Sequence, residues 1–153
     1  MSEYLADANV WVALAVERHV HHEVARRWLG SVEPAEGVLF CRATQQALLR
    51  LLTTSAVMAP HGRDPLTNDE AWAVLAAFLR DDRISVRLDE GQGLDAAWRR
   101  FAGRPSASPK LWMDAYLAAF AIAGGYRLVT ADRAFRQFQG LDVVILGESP
   151  APR

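Results

Sequence analysis

The sequence predicts an α/β domain in which helices cover both faces of a mainly parallel, short-stranded sheet. Short apolar runs alternate along the chain with longer segments of helical periodicity, a pattern typical of parallel α/β folds. The 153 residues, 51% of them hydrophobic, are enough for one sizeable core. We therefore expect a single domain over residues 1–147, followed by a flexible tail over residues 148–153.

Five short apolar runs are the predicted strands, at residues 4–6, 38–40, 84–86, 126–129 and 143–145. The predicted helices lie between them, at residues 10–16, 22–30, about 45–53, about 68–80, 90–101 and 111–123. Thr44 is the expected cap of the third helix, and Thr67 precedes Glu70 at the spacing of a capping box. The segment from Met58 to Thr67 contains two prolines and a glycine, so it is predicted to be a loop.

The predicted helix at residues 111–123 carries a single charged residue in an otherwise apolar sequence. Every residue in it except Asp114 is apolar or tyrosine, so the helix should be buried on more than one side. A carboxylate in that setting is expected to be paired or to bind a metal. The loop before it, residues 103–109, is rich in Pro and Ser and is expected at the rim of any site around Asp114.

Two further acids follow predicted strands, Asp7 after the first and Asp132 after the fourth. Asp7 alone would be interpreted as a helix N-cap. Because sites in parallel sheets form outside the carboxyl ends of the strands, we expect Asp7, Asp114 and Asp132 to converge there. Three neighbouring carboxylates repel one another unless protons or a cation relieve the repulsion. Oxygen ligands without His or Cys favour Mg²⁺ or Mn²⁺, which can activate water and neutralise charge on a phosphoryl group.

Three motifs resemble those of PIN-domain ribonucleases, in particular the VapC-type toxins of bacterial toxin–antitoxin pairs. The motifs are Leu-Ala-Asp7-Ala-Asn9, Trp-Met-Asp114-Ala-Tyr-Leu-Ala-Ala-Phe-Ala and Val-Thr130-Ala-Asp132-Arg-Ala-Phe135. The segments around His22 and from Cys41 to Thr53 strengthen the likeness, which covers nearly the whole chain.

The resemblance implies a compact three-layer α/β/α domain and a magnesium-dependent endoribonuclease, with manganese as an alternative metal. It assigns catalytic and metal-binding roles to Asp7, Asp114 and Asp132, and supporting roles to Asn9 and Thr130. It also implies an RNA substrate, a cognate antitoxin protein as partner, and a homodimer.

One position departs from the resemblance, because the family usually carries a fourth acid, a Glu, on the helix after the second strand. The sequence here reads Thr44-Gln45-Gln46. We align Gln45 with the missing Glu, with Gln46 as the alternative. An amide brings no charge, so the expectation is a one-metal enzyme. The rival interpretation is a catalytically degenerate PIN-like module that binds antitoxin or RNA without cleaving it.

Other classes fit the residues less well. A phosphatase of the haloacid dehalogenase type would need Asp and Thr where Asn9 and Trp11 stand, and a receiver domain would need a lysine after a late strand, whereas Lys110 lies elsewhere. His19, His21 and His22 match no closed zinc pattern, so solvated or capping roles are expected.

The net charge and the cysteine content limit which partners and which cellular compartment are expected. The formal net charge of −1 requires any RNA contact to come from local basic residues, for which Arg42, Lys110 and Arg133 are the candidates. Cys41 is the only cysteine, which fits a reducing cytoplasm. No signal peptide or membrane-length apolar run is predicted, so a cytoplasmic location without membrane contact is expected.

Trp11, Trp28 and the leucine-rich segment 48–52 are candidates for an apolar surface that binds a second copy of the chain and an antitoxin. Burial of the same residues in the core is the equally weighted alternative.

Overall fold

The computed structural model describes residues 2–148, and within them five strands form one parallel sheet. The strands are β1 (Tyr4–Ala6), β2 (Val38–Phe40), β3 (Ile84–Val86), β4 (Arg127–Thr130) and β5 (Val143–Ile145). Their order across the sheet is β3-β2-β1-β4-β5, and all four neighbouring pairs run parallel. The predicted parallel α/β architecture is confirmed, and the sheet proves entirely parallel.

The helices are α1 (Ala8–Ala15), α2 (His22–Ser31), α3 (Arg42–Leu52), α4 (Ser55–Met58), α5 (Asn68–Leu79), α6 (Leu94–Ala102) and α7 (Leu111–Gly124). Two 3₁₀ turns, Ala59–His61 and Arg133–Gln137, complete the described structure. Within residues 2–148, no helix combines the length and apolar character needed to cross a membrane.

The strand order creates a switch point between β1 and β4. From β1 the chain moves outward through β2 to β3, and then returns to place β4 on the other side of β1. Connections that leave in opposite directions open a crevice at the carboxyl ends of the two strands, where ligands bind in open α/β sheets. Asp7 directly follows β1, and Asp132 follows β4 by one intervening residue.

The sheet separates two hydrophobic layers, because alternate side chains of each strand point to opposite faces. On β1, Leu5 packs in the layer that contains α6 and α7, whereas Ala6 packs in the layer that contains α1, α3 and α5. In the second layer the ring of Trp11 stacks on Phe40 with centroids 3.8 Å apart and an interplanar angle of 12°. The chain thus forms the expected three layers.

Several element boundaries differ from the predictions. α3 begins at Arg42 with Cys41 as its N-cap, and Thr44 is the third residue of the helix, where its side chain accepts from the Cys41 N–H. The segment predicted to be a loop from Met58 contains the 3₁₀ turn Ala59–His61, which continues α4. α6 starts at Leu94, because Gly93 before it adopts φ +84°.

The predicted flexible tail is only partly covered by the structure. Glu148 forms ion pairs with Arg133 and Arg136, and only 15% of its side chain is exposed. The flexible tail over residues 148–153 stays a prediction, and residues 149–153 lie outside the described residues.

The apolar residues expected to form an interface lie mainly in the core. Trp11, Leu48 and Leu52 are buried, and Trp28 is partly buried with its ring edge-on to Tyr4. The interface expectation was wrong for the three buried side chains. Among residues 2–148, the large apolar side chains that are exposed are Val20, Trp72, Leu79, Leu88, Trp112 and Met113.

Candidate metal centre

Asp7 is held rigidly at the end of β1. Its Oδ1 accepts a 2.7 Å hydrogen bond from the Ala8 N–H, as an N-cap of α1, and its Oδ2 accepts a 2.9 Å bond from the Thr130 hydroxyl. Burial raises the pKa of this carboxyl, the two hydrogen bonds oppose that rise, and the nearby Asp132 adds to it. Asp7 is therefore an N-cap and also part of an acidic cluster.

Thr130 connects the turn after β4 to Asp7. Besides donating to Asp7, its Oγ1 accepts from Asn9 Nδ2 at 3.2 Å and from the Asp132 N–H at 3.0 Å. Asn9 also accepts from the Ala131 N–H at 3.2 Å, which ties the first turn of α1 to the same turn. This network joins Asn9, Thr130 and Asp7 at the carboxyl ends of β1 and β4.

Asp132 and Asp114 complete the acidic cluster. Asp132 caps the following 3₁₀ turn by accepting from the Ala134 N–H at 2.9 Å. Asp114 lies in the first turn of α7, half-buried, and receives no hydrogen bond from another described residue. Burial, followed by the charges of Asp7 and Asp132, raises the Asp114 pKa to about 6.

Asp7, Asp114 and Asp132 line one cleft of about 360 Å³, which we call the acidic cleft. A second cavity of about 650 Å³ adjoins it and shares Asp114, Asp132 and Lys110. The two cavities together form an open surface on both sides of Asp114 and Asp132.

The donor set fits a hard divalent cation that keeps part of its water shell. Among residues 2–148, no group of three or more His, Cys, Asp or Glu side chains is close enough together to hold a metal ion. Magnesium commonly takes only one or two carboxylates and retains several waters. Asp114, with no competing hydrogen-bond donor, is the carboxylate best placed for direct contact.

The structure does not place Gln45 in the acidic cleft. Gln45 is buried, and its Oε1 accepts a 2.8 Å hydrogen bond from Arg42. The α3 residues that line the cleft include Ala43, Thr44 and Ala47. The alignment of Gln45 with the missing Glu stays a prediction. Among the cleft-lining residues of α3, Ala47 lies one helical turn after Ala43.

The three predicted RNA-binding residues have different surroundings. Lys110 lines both cavities. Arg42 is engaged with Gln45, and the Arg133 Nε lies 2.8 Å from Glu148; neither lines either cavity. Sequence reasoning missed Arg50, which lines the acidic cleft, and Arg104, which lines the neighbouring cavity. The helical spacing of Ala43, Ala47 and Arg50 is the signal that could have indicated Arg50.

The histidines cluster with one another instead of with the acids. The rings of His19 and His61 stack with centroids 4.6 Å apart, and the His21 N–H donates to His19 Nδ1 at 3.0 Å. Burial and the neighbouring histidines lower the His19 pKa to about 4. The predicted capping role is not observed at α2, because its N-cap residue His21 makes no side-chain capping hydrogen bond.

Comparisons with known proteins agree with this geometry. The family description of the PIN domain matches residues 4–141. Ribonuclease VapC41 of Mycobacterium tuberculosis is 54% identical over 144 residues, which cover 94% of this chain and 99% of that protein. Ribonuclease VapC29 of the same organism is 33% identical over 93% of this chain and 94% of its own.

Solved structures share the fold at low sequence identity. VapBC2 from Rickettsia felis, bound to a DNA fragment from its promoter, matches with a TM-score of 0.67 at 15% identity, over 94% of this chain and 98% of that one. VapC20 of M. tuberculosis, a Sarcin-Ricin loop cleaving toxin, matches with a TM-score of 0.64 at 18% identity, over 92% and 98%.

Proposed function

The chain belongs to the PIN-domain family, and on that premise we propose that it is a metal-dependent endoribonuclease, the toxin of a VapC-type toxin–antitoxin pair. The identity of 54% to a ribonuclease over nearly the full length of both chains supports RNA as the substrate. The finer part of the proposal is that the metal is Mg²⁺, or Mn²⁺ in its place, and that Asp7, Asp114 and Asp132 hold it, one or two of them by direct contact and the rest through waters that the metal retains.

The observation that carries the proposal is the acidic cleft at the switch point of the sheet. Asp7 and Asp114 have raised pKa values because they are buried and lie near other carboxylates. Their ionised forms are thus unfavourable without a neutralising partner, and among the described residues no Lys or Arg forms a salt bridge with Asp7, Asp114 or Asp132. A divalent cation would supply the missing charge.

The proposed mechanism assigns a separate task to each group. When bound, the metal would activate a water for attack and neutralise charge on the phosphoryl group. Thr130 and Asn9 hold Asp7 in one orientation, and Asp114 presents carboxylate oxygens that no described donor occupies. Lys110 and Arg50, at the walls of the acidic cleft, would bind the phosphates next to the scissile bond.

An antitoxin protein and a second copy of the chain are the proposed partners. Structural neighbours that are VapBC complexes, from R. felis and Haemophilus influenzae, support the antitoxin. Light scattering at micromolar concentration tests the homodimer, and a monomer would exclude it. The proposed location is the cytoplasm, which suits the buried free thiol of Cys41.

A second candidate function is an RNA- or antitoxin-binding module without catalysis. The observation in its favour is that Ala47, not an acid, faces the cleft from α3. The raised pKa values of Asp7 and Asp114 argue against it, because a pure binding module would gain nothing from burying carboxylates near one another.

Purified protein incubated with total cellular RNA distinguishes the two functions. We expect cleavage in Mg²⁺ and none in EDTA, with the new ends mapped by sequencing. Asp114→Asn keeps the shape of the side chain and should abolish cleavage while the circular dichroism spectrum stays unchanged. Wild-type protein that binds RNA and never cleaves it would establish the binding module.

A further inference from the structure

Another cavity, of about 260 Å³, lies where the carboxyl end of α6 meets the 3₁₀ turn that follows β4. Its lining includes Arg100, Arg104, Gln137 and Gln139, and we call it the Arg100 cavity. Arg104 and Gln137 also line the cavity of about 650 Å³ beside the acidic cleft, so these two cavities adjoin. The larger cavity in turn shares Lys110 with the acidic cleft. A continuous surface therefore leads from the acidic cleft to the end of α6.

The charge of this surface changes from negative to positive along its length. Lys110 lies beside the acids, Arg104 lines the middle of the surface, and Arg100 lies at the far end. None of these three side chains forms an ion pair with a described acid. No carboxylate is among the described residues that line the Arg100 cavity. The positive charges at the end of α6 are therefore available to an anionic ligand.

Uncharged neighbours orient both guanidinium groups of the Arg100 cavity. The guanidinium of Arg100 lies over the ring of Phe101, with its Cζ 4.8 Å from the ring centroid. Arg104 donates from Nη2 to Gln137 Oε1 at 2.8 Å. Gly103 separates the two arginines, and a Cβ at that position would lie 2.9 Å from the carbonyl oxygen at the end of the preceding turn, so this close turn requires glycine. The two groups are thus held in place without losing their charge.

The Arg100 cavity suits the sugar–phosphate backbone of a nucleic acid. Arginine binds phosphate oxygens through parallel N–H donors, and side-chain amides add uncharged hydrogen bonds to the backbone. A row of basic side chains also suits a ligand with regularly repeated negative charge. A protein partner fits less well, because the centre of a protein interface is usually apolar. Phe101 and Phe138 are buried here, and the other side chains in the lining are polar.

We propose that the Arg100 cavity is a secondary phosphate-binding site, at which Arg100 and Arg104 hold the RNA backbone to one side of the scissile bond. The inference rests on the proposed ribonuclease function and deepens it, because it assigns binding residues outside the acidic cleft. It also gives the bound strand a path along the end of α6. The contribution to affinity is independent of base sequence, and one copy of the chain forms the whole site.

Stabilisation of α6 is the competing role for Arg100. A cation in the last turn of a helix interacts favourably with the negative end of the helix dipole. Arg99 is exposed in the same turn and lines none of the three cavities along this surface. Arg99→Gln is therefore the matched control, because it removes a charge from the same turn and leaves the Arg100 cavity intact.

The test measures RNA binding by fluorescence anisotropy in EDTA, where the strand stays intact. The probes are an RNA of mixed sequence, about 12 nucleotides long, and a strand of the same length in which every nucleotide is abasic. Arg100→Gln and Arg104→Gln should each lower the slope of log affinity against log salt by about 0.7 on both probes. The double variant should bind both probes at least about tenfold more weakly. Arg104→Lys keeps the charge and should keep the slope of wild type.

An unchanged slope in either glutamine variant would overturn the proposal, as would an equal reduction in Arg99→Gln. A loss confined to the base-containing strand would also overturn it, because the residues would then contact bases. Normal RNA binding together with a changed oligomeric state in light scattering would assign the surface to a protein interface instead.

Cleavage of total cellular RNA by wild type in Mg²⁺ is measured separately. Cleavage combined with unchanged slopes would refute this inference alone. Absence of cleavage would refute the ribonuclease function, whatever the slopes show.

Discussion

Thr130→Val removes the hydroxyl that joins β4 to Asp7 while keeping the size of a fully buried side chain. Three hydrogen bonds are lost: the one donated to Asp7 and those accepted from Asn9 and the Asp132 N–H. A hydrogen bond to a carboxylate contributes about 1.5–3 kcal/mol to stability and a neutral hydrogen bond about 1 kcal/mol. The loss is smaller for Asn9 and Asp132, because both are partly exposed and can form hydrogen bonds with water instead. We therefore expect the free energy of unfolding to fall by roughly 2–4 kcal/mol.

Thermal unfolding followed by circular dichroism measures this loss. For a domain of about 150 residues, 1 kcal/mol corresponds to about 2–4 °C, so Tm should fall by roughly 5–15 °C. Thr130→Ser keeps the hydroxyl and loses one buried methyl group, so it should cost no more than about 1 kcal/mol. A Thr130→Val protein as stable as wild type, or a Ser variant as unstable as the Val variant, would refute the role of the hydroxyl.

Three further predictions concern the cleft. In EDTA, the free energy of unfolding should fall as the pH rises from about 4 to about 6, because the raised Asp114 pKa makes the folded state bind more protons than the unfolded state over that range. Urea unfolding at several pH values measures this dependence, and Asp114→Asn should make it weaker. An unchanged pH dependence in the variant would contradict the assignment. Lys110→Gln should weaken RNA binding and lower its salt dependence by about one charge, whereas Arg133→Gln should change neither in fluorescence anisotropy; equal effects would show that lining the cavities is irrelevant. Ala47→Glu should strengthen Mn²⁺ binding in calorimetry more than Gln45→Glu does, because Ala47 lines the cleft; the reverse order would support the alignment of Gln45 with the missing Glu.

The sheet and the acids could be predicted because both depend on local signals. Strands buried on both faces are continuous apolar runs, and an Asp placed directly after such a run must lie at the carboxyl edge of the sheet. Asp114 could be identified from the sequence because it is the one charged residue in an apolar helix. The switch point between β1 and β4 depends on strand order, which no local pattern encodes.

The direction in which α3 faces could not be predicted from the sequence. Consecutive helical residues point about 100° apart, so an alignment shifted by one or two positions moves a side chain from the cleft to the core. Gln45 and Ala47 differ by such a shift. Arg50 was missed for the same reason, because its importance depends on α3 lying against the acidic cleft.

The burial of Trp11 also depends on a tertiary contact. Its ring is covered by Phe40, a residue 29 positions further along the chain, and by Phe78 of α5. An amphipathic pattern shows that a tryptophan is on the apolar face of a helix. It does not show whether a strand or a partner protein covers that face.

The central claim, that the acidic cleft holds a divalent cation, is tested most directly by calorimetric titration of Mn²⁺ into metal-free protein. We predict saturable binding by wild type at a site that Asp114→Asn removes, with both proteins folded by circular dichroism. Undiminished binding by the Asp114→Asn protein, or no binding by wild type, would contradict the claim.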